Sequence, residues 1–92
     1  MKIGYDPMKN DKTLVERGLS FEDVVLLDWK AALIWRDTRF NYGEKRLTAL
    51  LPDDQGRLHV VCFMLRKDVH WIFSFRKANA REVRKYHEKT AH

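Results

Sequence analysis

The chain predicts a single α+β domain, residues 1–92, in which two N-terminal helices and one C-terminal helix pack with a mostly antiparallel sheet in the order β-α-α-β-β-β-β-α. Three observations lead there. Helix punctuation fills the segment from Asp6 to Trp29, apolar runs of strand length separated by turn residues fill the segment from Ala32 to Phe75, and a capped, charged run with helical spacing follows. At 92 residues there is enough chain for one core and no room for a second.

The run "KIGY" at residues 2–5 has the composition of a short edge strand and stops at "DP", where Asp6 can cap and Pro7 suits a first helical turn. A first helix then runs to about Arg17, and Gly18 is placed to end it in a left-handed conformation. In "LSFEDV", Ser20 reads as an N-cap, Asp23 as its capping-box partner and Leu19 against Val24 as a staple, which predicts a second helix to Asp28 or Trp29.

The runs "AALIW", "KRLTALL", "LHVVCFML" and "VHWIFSF" read as strands, with "PDDQGR" and "RKD" as the turns of an antiparallel meander of the last three. Alternation in the final strand puts Val69, Trp71, Phe73 and Phe75 on one face and His70, Ile72, Ser74 and Arg76 on the other, partly polar one. Asn79, with Glu82 three residues later, starts the last helix at Ala80; Arg81, Arg84, Lys85 and Glu88 face water, while Val83 and one of Tyr86 or His87 touch the body.

Eighteen Lys and Arg against thirteen Asp and Glu give a formal charge of +5, which favours polyanionic partners. The excess lies beyond Arg57, where the acids are Asp68, Glu82 and Glu88. Cys62, the single cysteine, sits in an apolar run and reads as a core residue in a reducing compartment. No segment resembles a signal peptide or a membrane span, so the expectation is a cytoplasmic protein with no membrane partner. Metal-ligand Cys/His spacing, GxxxxGK, GxGxxG and a serine elbow are all missing, so no cofactor is expected.

The remaining polar set is Lys9 and Lys12 on the first helix, Glu44 and Arg46 in "YGEKR", Arg66 in a turn, His70, Ser74, Arg76 and Lys77 at the last strand, and Arg81 on the basic last helix. Such a set suits RNA transesterification, which needs a proton acceptor for the 2′-hydroxyl, cations over the phosphorane and a donor for the leaving 5′-oxygen. Glu44, Arg46, His70 and Arg76 are the catalytic candidates; Lys9, Lys12, Arg66, Ser74, Lys77 and Arg81 are the RNA-binding ones. Each has a plainer description. Arg76 also suits an ion pair with Glu44 or Glu82, His70 a surface imidazole, Glu44 a pair with Lys45 or Arg46, and the lysines a solvated helix face. Trp29, Trp35, Trp71, Phe63, Phe73 and Phe75 read mostly as core, whereas Phe40 and Tyr42, in a polar loop, are better placed to touch a base or a protein.

In order and spacing, "YDPMK", "RGLSFEDV", "YGEKR" and above all "SFRKANAREVRKY" resemble the BrnT toxin family of bacterial type II toxin–antitoxin systems, over nearly the whole chain. The matching positions are Asp6, Pro7, Lys9, Gly18, Phe21, Gly43, Glu44, Arg46, Arg66, Ser74, Arg76, Lys77, Ala78, Glu82 and Tyr86. The resemblance implies a RelE-like fold and a ribonuclease that inhibits translation by cleaving RNA. It also implies neutralisation by a small ribbon–helix–helix antitoxin resembling BrnA, with operator DNA reached only through that antitoxin. Thr13, Glu16, Met64 and Trp71 depart from the family pattern, and Glu16 and Trp71 remove positive charge where phosphate attraction is expected. The leading expectation is a metal-independent endoribonuclease; the alternative is a non-catalytic module that binds RNA or holds a DNA-binding partner.

Overall fold

Both α-helices start at the caps that their sequences encode. In the computed structural model, which describes residues 1–39 and 43–91, the first strand β1 (Lys2–Tyr5) leads into α1 (Pro7–Arg17), whose N-cap Asp6 accepts a hydrogen bond from the Met8 N–H. Gly18, at φ 69°, ends α1 by donating its N–H to the Leu14 carbonyl, a conformation a side chain would oppose. The last helix, α2 (Ala80–Thr90), opens on a full capping box: the Asn79 side chain accepts from the Glu82 N–H and the Glu82 carboxylate accepts from the Asn79 N–H, both at 2.9 Å.

The expected second α-helix is instead a pair of 3-10 turns, Phe21–Leu26 and Trp29–Ala31. The reason is the spacing of the buried residues: Phe21, Val24 and Leu27 recur every three positions, and three residues per turn brings all three onto one side. The Ser20 hydroxyl accordingly accepts from the Glu22 N–H, not from Asp23 as a capping box would require.

The remaining strands are β2 (Leu33–Arg36), β3 (Arg46–Pro52), β4 (Leu58–Arg66) and β5 (Val69–Lys77), and the sheet order is β1-β5-β4-β3-β2. The meander β3-β4-β5 forms as expected, and β2 joins it antiparallel. β1 pairs with β5 in parallel, so the sheet is mixed.

One core lies between the sheet and the 3-10 turns, built on Phe21, Val24, Leu51, Val61, Phe63, Ile72 and Phe75. On the other face Ala78 and, from α2, Val83 and Tyr86 cover Leu50, Leu58 and Val60, and the Tyr86 hydroxyl donates to the Ala31 carbonyl at 2.7 Å. Among the described residues, no helix is long and apolar enough to cross a membrane.

A β-bulge corrects the expected facing of β5. Opposite β4 the register steps from Cys62↔Ser74 to Phe63↔Ile72, which leaves Phe73 as the extra residue. Ile72 and Phe75 therefore share the core on the side of the 3-10 turns, and His70 joins them there, stacked on Phe63 with centroids 5.1 Å apart. Val69, Trp71, Ser74 and Arg76 fall on the α2 side.

Candidate nucleic-acid face

α2 covers one end of its face, and the rest carries polar side chains that are half-buried or, at Arg66, exposed, around the buried Met64. The registers place Arg46 and Thr48 of β3, Cys62, Met64 and Arg66 of β4, and Trp71, Ser74 and Arg76 of β5 on that face. From Val60, opposite Arg76, to Arg66 is six residues of β4, a stripe of roughly 20 Å at the usual strand rise.

Aromatic rings organise the cations along this stripe. The Arg66 guanidinium lies 5.2 Å from the Trp71 ring centroid; Arg46, reaching across β4, lies 4.8 Å from Phe73, and Lys9 brings its Nζ to 5.9 Å from the same ring. The bulge makes this possible by turning Phe73 out of the alternation that would have buried it. Trp71 can lie flat over β1 because Gly4 has no side chain: a Cβ there would come within 2.7 Å of the indole. Contact with a ring face holds an arginine or lysine by attraction to the π system and uses none of its hydrogen-bond donors.

Next to Phe73 a shallow hollow of about 190 Å³ is lined by Lys9, Lys12, Thr13, Arg17 and Ser74, with Glu16 as its one carboxylate among the described residues. Lys12 stands 4.0 Å from Glu16 across one helical turn, an exposed pair of little energetic consequence. Arg17, which no motif in the sequence marks as a site residue, donates to the Phe75 carbonyl at 3.0 Å and so ties α1 to β5. Glu44 accepts from Arg66 at 3.3 and 3.4 Å, long bonds between half-exposed side chains.

Arg76 is committed differently. Its Nη1 and Nη2 donate to the two carboxylate oxygens of Glu82 at 2.7 and 2.8 Å, and Glu82 is the residue that closes the capping box of α2. Bonding to Arg76 holds the Glu82 carboxyl below its usual value, and bonding to Glu82 lifts the Arg76 guanidinium above its own. The guanidinium fork is therefore occupied, and the bidentate phosphate grip expected of Arg76 requires Glu82 to let go.

His70 does not share the face with Arg46, Ser74 and Arg76. It lies across the sheet between Phe63 and Trp29, its Nδ1 is buried with no hydrogen-bond partner among the described residues, and burial pushes its pKa down. Lys77, opposite His59, also falls on the side of the 3-10 turns, where it is exposed. Arg81 is exposed on the first turn of α2. Phe40 and Tyr42 lie outside the described residues. Of the positions that depart from the family pattern, Thr13 and Met64 are buried, Glu16 faces Lys12, and Trp71 carries Arg66 on its ring.

No curated protein matches the chain significantly. A solved structure, the 1.1 Å crystal structure of the Brucella abortus ribonuclease toxin BrnT, shares the fold at a TM-score of 0.68 and 22% identity, over 86% of this chain and 97% of that one. The model of the family described as ribonuclease toxin, BrnT, of type II toxin–antitoxin systems matches residues 5–82. With that match spanning most of its length, the chain belongs to the BrnT family of ribonuclease toxins.

Proposed function

We propose that this chain is a metal-independent endoribonuclease that stops translation by cutting RNA in the cytoplasm, and that a ribbon–helix–helix antitoxin restrains it and carries it to operator DNA. The observation that carries this reading is the convergence of Arg46 and Lys9 on Phe73, beside Ser74, on a part of the sheet that α2 does not cover. Two cations gathered around one ring suit a dianionic phosphorane.

In the proposed reaction the 2′-oxygen attacks the adjacent phosphorus, Glu44 takes the 2′-hydroxyl proton, and Arg46 and Lys9 neutralise the phosphorane. The P–O5′ bond then breaks, and the 5′-oxygen leaves as a hydroxyl after taking a proton from solvent, so the products are a 2′,3′-cyclic phosphate and a 5′-hydroxyl. Glu44 is the carboxylate two residues before Arg46, and its long, half-exposed bonds to Arg66 open at little cost. Lys12, Arg66 and Arg81 hold flanking phosphates. His70 has no part, since the sheet separates it from the cations.

The engagement of Arg76 by Glu82 and of Arg66 by Glu44 favours a second reading, a module that binds RNA without cutting it. Incubation with RNA in EDTA separates the two. Fragments ending in 2′,3′-cyclic phosphate are expected; RNA that stays bound and intact refutes the enzyme and leaves the module.

A further inference from the structure

Between β2 and the start of α2 lies a cavity of about 350 Å³ that the proposed cleavage chemistry does not use. Its volume is in the range of small-molecule sites, roughly 300–1,000 Å³. The apolar surface comes from Val60 and Trp35, and Thr48 and Cys62 add a hydroxyl and a thiol that face each other at 3.9 Å.

Two carboxylate–guanidinium pairs line the same cavity. One is Arg76 on Glu82. The other follows β2, where Asp37 Oδ1 accepts from the Arg39 backbone N–H and Nε, and Oδ2 from its Nη2, at 2.9 to 3.1 Å. Both carboxylates are largely sheltered, with side chains 13% exposed for Asp37 and 19% for Glu82.

This arrangement selects against a phosphate and for an uncharged planar ligand. A phosphate entering here would have to compete with two carboxylates already held by the guanidinium groups it needs. A neutral heterocycle faces no such competition: the Glu82 carboxylate can accept from its ring or exocyclic N–H groups, and the Arg76 guanidinium, whose Nη1 and Nη2 hold Glu82, has its Nε–H to offer a carbonyl or ring nitrogen. The indole of Trp35 supplies aromatic surface, while the Lys85 ammonium, 3.9 Å from the ring centroid, keeps that residue against α2.

We propose that the Trp35–Thr48–Cys62 cavity, flanked by the Asp37–Arg39 and Glu82–Arg76 pairs, receives a nucleobase of the RNA chain whose phosphates lie along the neighbouring cationic stripe. The inference rests on reading that stripe as an RNA site, and it gives Arg76 and Glu82 a role in base recognition in place of phosphorane stabilisation.

Cys62 is a built-in reporter, because it is the sole cysteine and lines the cavity. The full-length protein is titrated with each of the four ribonucleoside 5′-monophosphates, with ribose 5-phosphate as the base-free control, while the rate of Cys62 alkylation is followed at mildly alkaline pH. The Trp35 indole N–H resonance is recorded in parallel, as a second readout that does not depend on thiol reactivity. At least one nucleotide is expected to slow alkylation roughly tenfold at about ten times its dissociation constant, and to shift that resonance. Ribose 5-phosphate is expected to do neither. If no nucleotide changes either signal up to its solubility limit, or if ribose 5-phosphate acts as well as the nucleotides, the proposal is overturned. RNA cleavage in EDTA is measured on the same sample. A protein that cuts RNA but ignores nucleotides loses the base site alone, whereas one that responds to nucleotides but cuts nothing keeps the base site and loses the ribonuclease reading.

Discussion

Arg46 and Arg76 stand on the same face of one sheet, yet the chain commits them in opposite ways. Arg46 rests on the Phe73 ring beside Lys9. Arg76 is held by both oxygens of Glu82, a carboxylate that the adjoining helix already needs for its cap. The difference teaches that counting cations does not locate an anion site. Contact with a ring face does not neutralise a guanidinium, while a bidentate carboxylate does and makes it part of the scaffold.

The largest effect should come from breaking that contrast at the aromatic end. Arg46→Ala is expected to lower RNA cleavage by about 10²- to 10³-fold at nearly unchanged thermal stability. Loss of cleavage accompanied by unfolding would make Arg46 structural instead. At the other end, Arg76→Ala should act first on the fold, by about 1–2 kcal/mol once solvent screening of a side chain 37% exposed is allowed for. Urea unfolding of the variant measures it.

The Arg76 pair also has a pH signature. The folded Glu82 pKa lies below its unfolded value near 4.3, so its contribution is fully present above that value and is lost as pH falls through the folded pKa. Glu82→Gln is expected to flatten this acid limb in unfolding curves taken across the acid range, and an unchanged limb would mean the pair contributes nothing.

A smaller effect is expected at the ring itself. Phe73→Leu keeps apolar bulk but removes the π face, and at about 0.5–1 kcal/mol should weaken RNA binding roughly two- to fivefold. The smallest catalytic effect belongs to His70→Gln, which should leave the cleavage rate within about twofold. It should instead change stability. The folded His70 pKa is depressed by burial, so wild-type stability is full above the unfolded value near 6.5 and declines as pH falls below it, a slope the variant lacks. A cleavage rate that collapses in a folded His70→Gln protein would restore the histidine to the mechanism.

Much of this architecture is legible in the residues. Asp6, Gly18 and Asn79 mark helix ends by chemistry that acts within a few positions, and β3, β4 and β5 announce themselves as apolar runs between turn residues. The second helix is misread because Phe21, Val24 and Leu27 fit both a period of 3.6 and a period of three, and burial against the sheet decides between them. The facing of His70 fails for a single reason. One extra residue at Phe73 reverses the alternation, and the adjacent apolar pair Ile72 and Phe73 is the faint local sign of it. Site residues are legible as a charge pattern but not as an assembly: Arg76 has two acids to choose from in the sequence, and only the fold puts Glu82 under it. Trp71 and Phe73 read as core because aromatic spacing does not reveal which side of a sheet stays open.

The parallel pairing of β1 with β5 sets an order of events. Lys2 finds its partner at Val69 and Tyr5 at Ile72, so the strand made first has nothing to dock on until the ribosome has delivered the one made last. Lys9 follows that strand directly and takes its place over Phe73 only after the closure. A polypeptide still short of its last strand therefore carries Lys9 and Arg46 without the ring that gathers them, and the cationic cluster forms only once synthesis has reached β5.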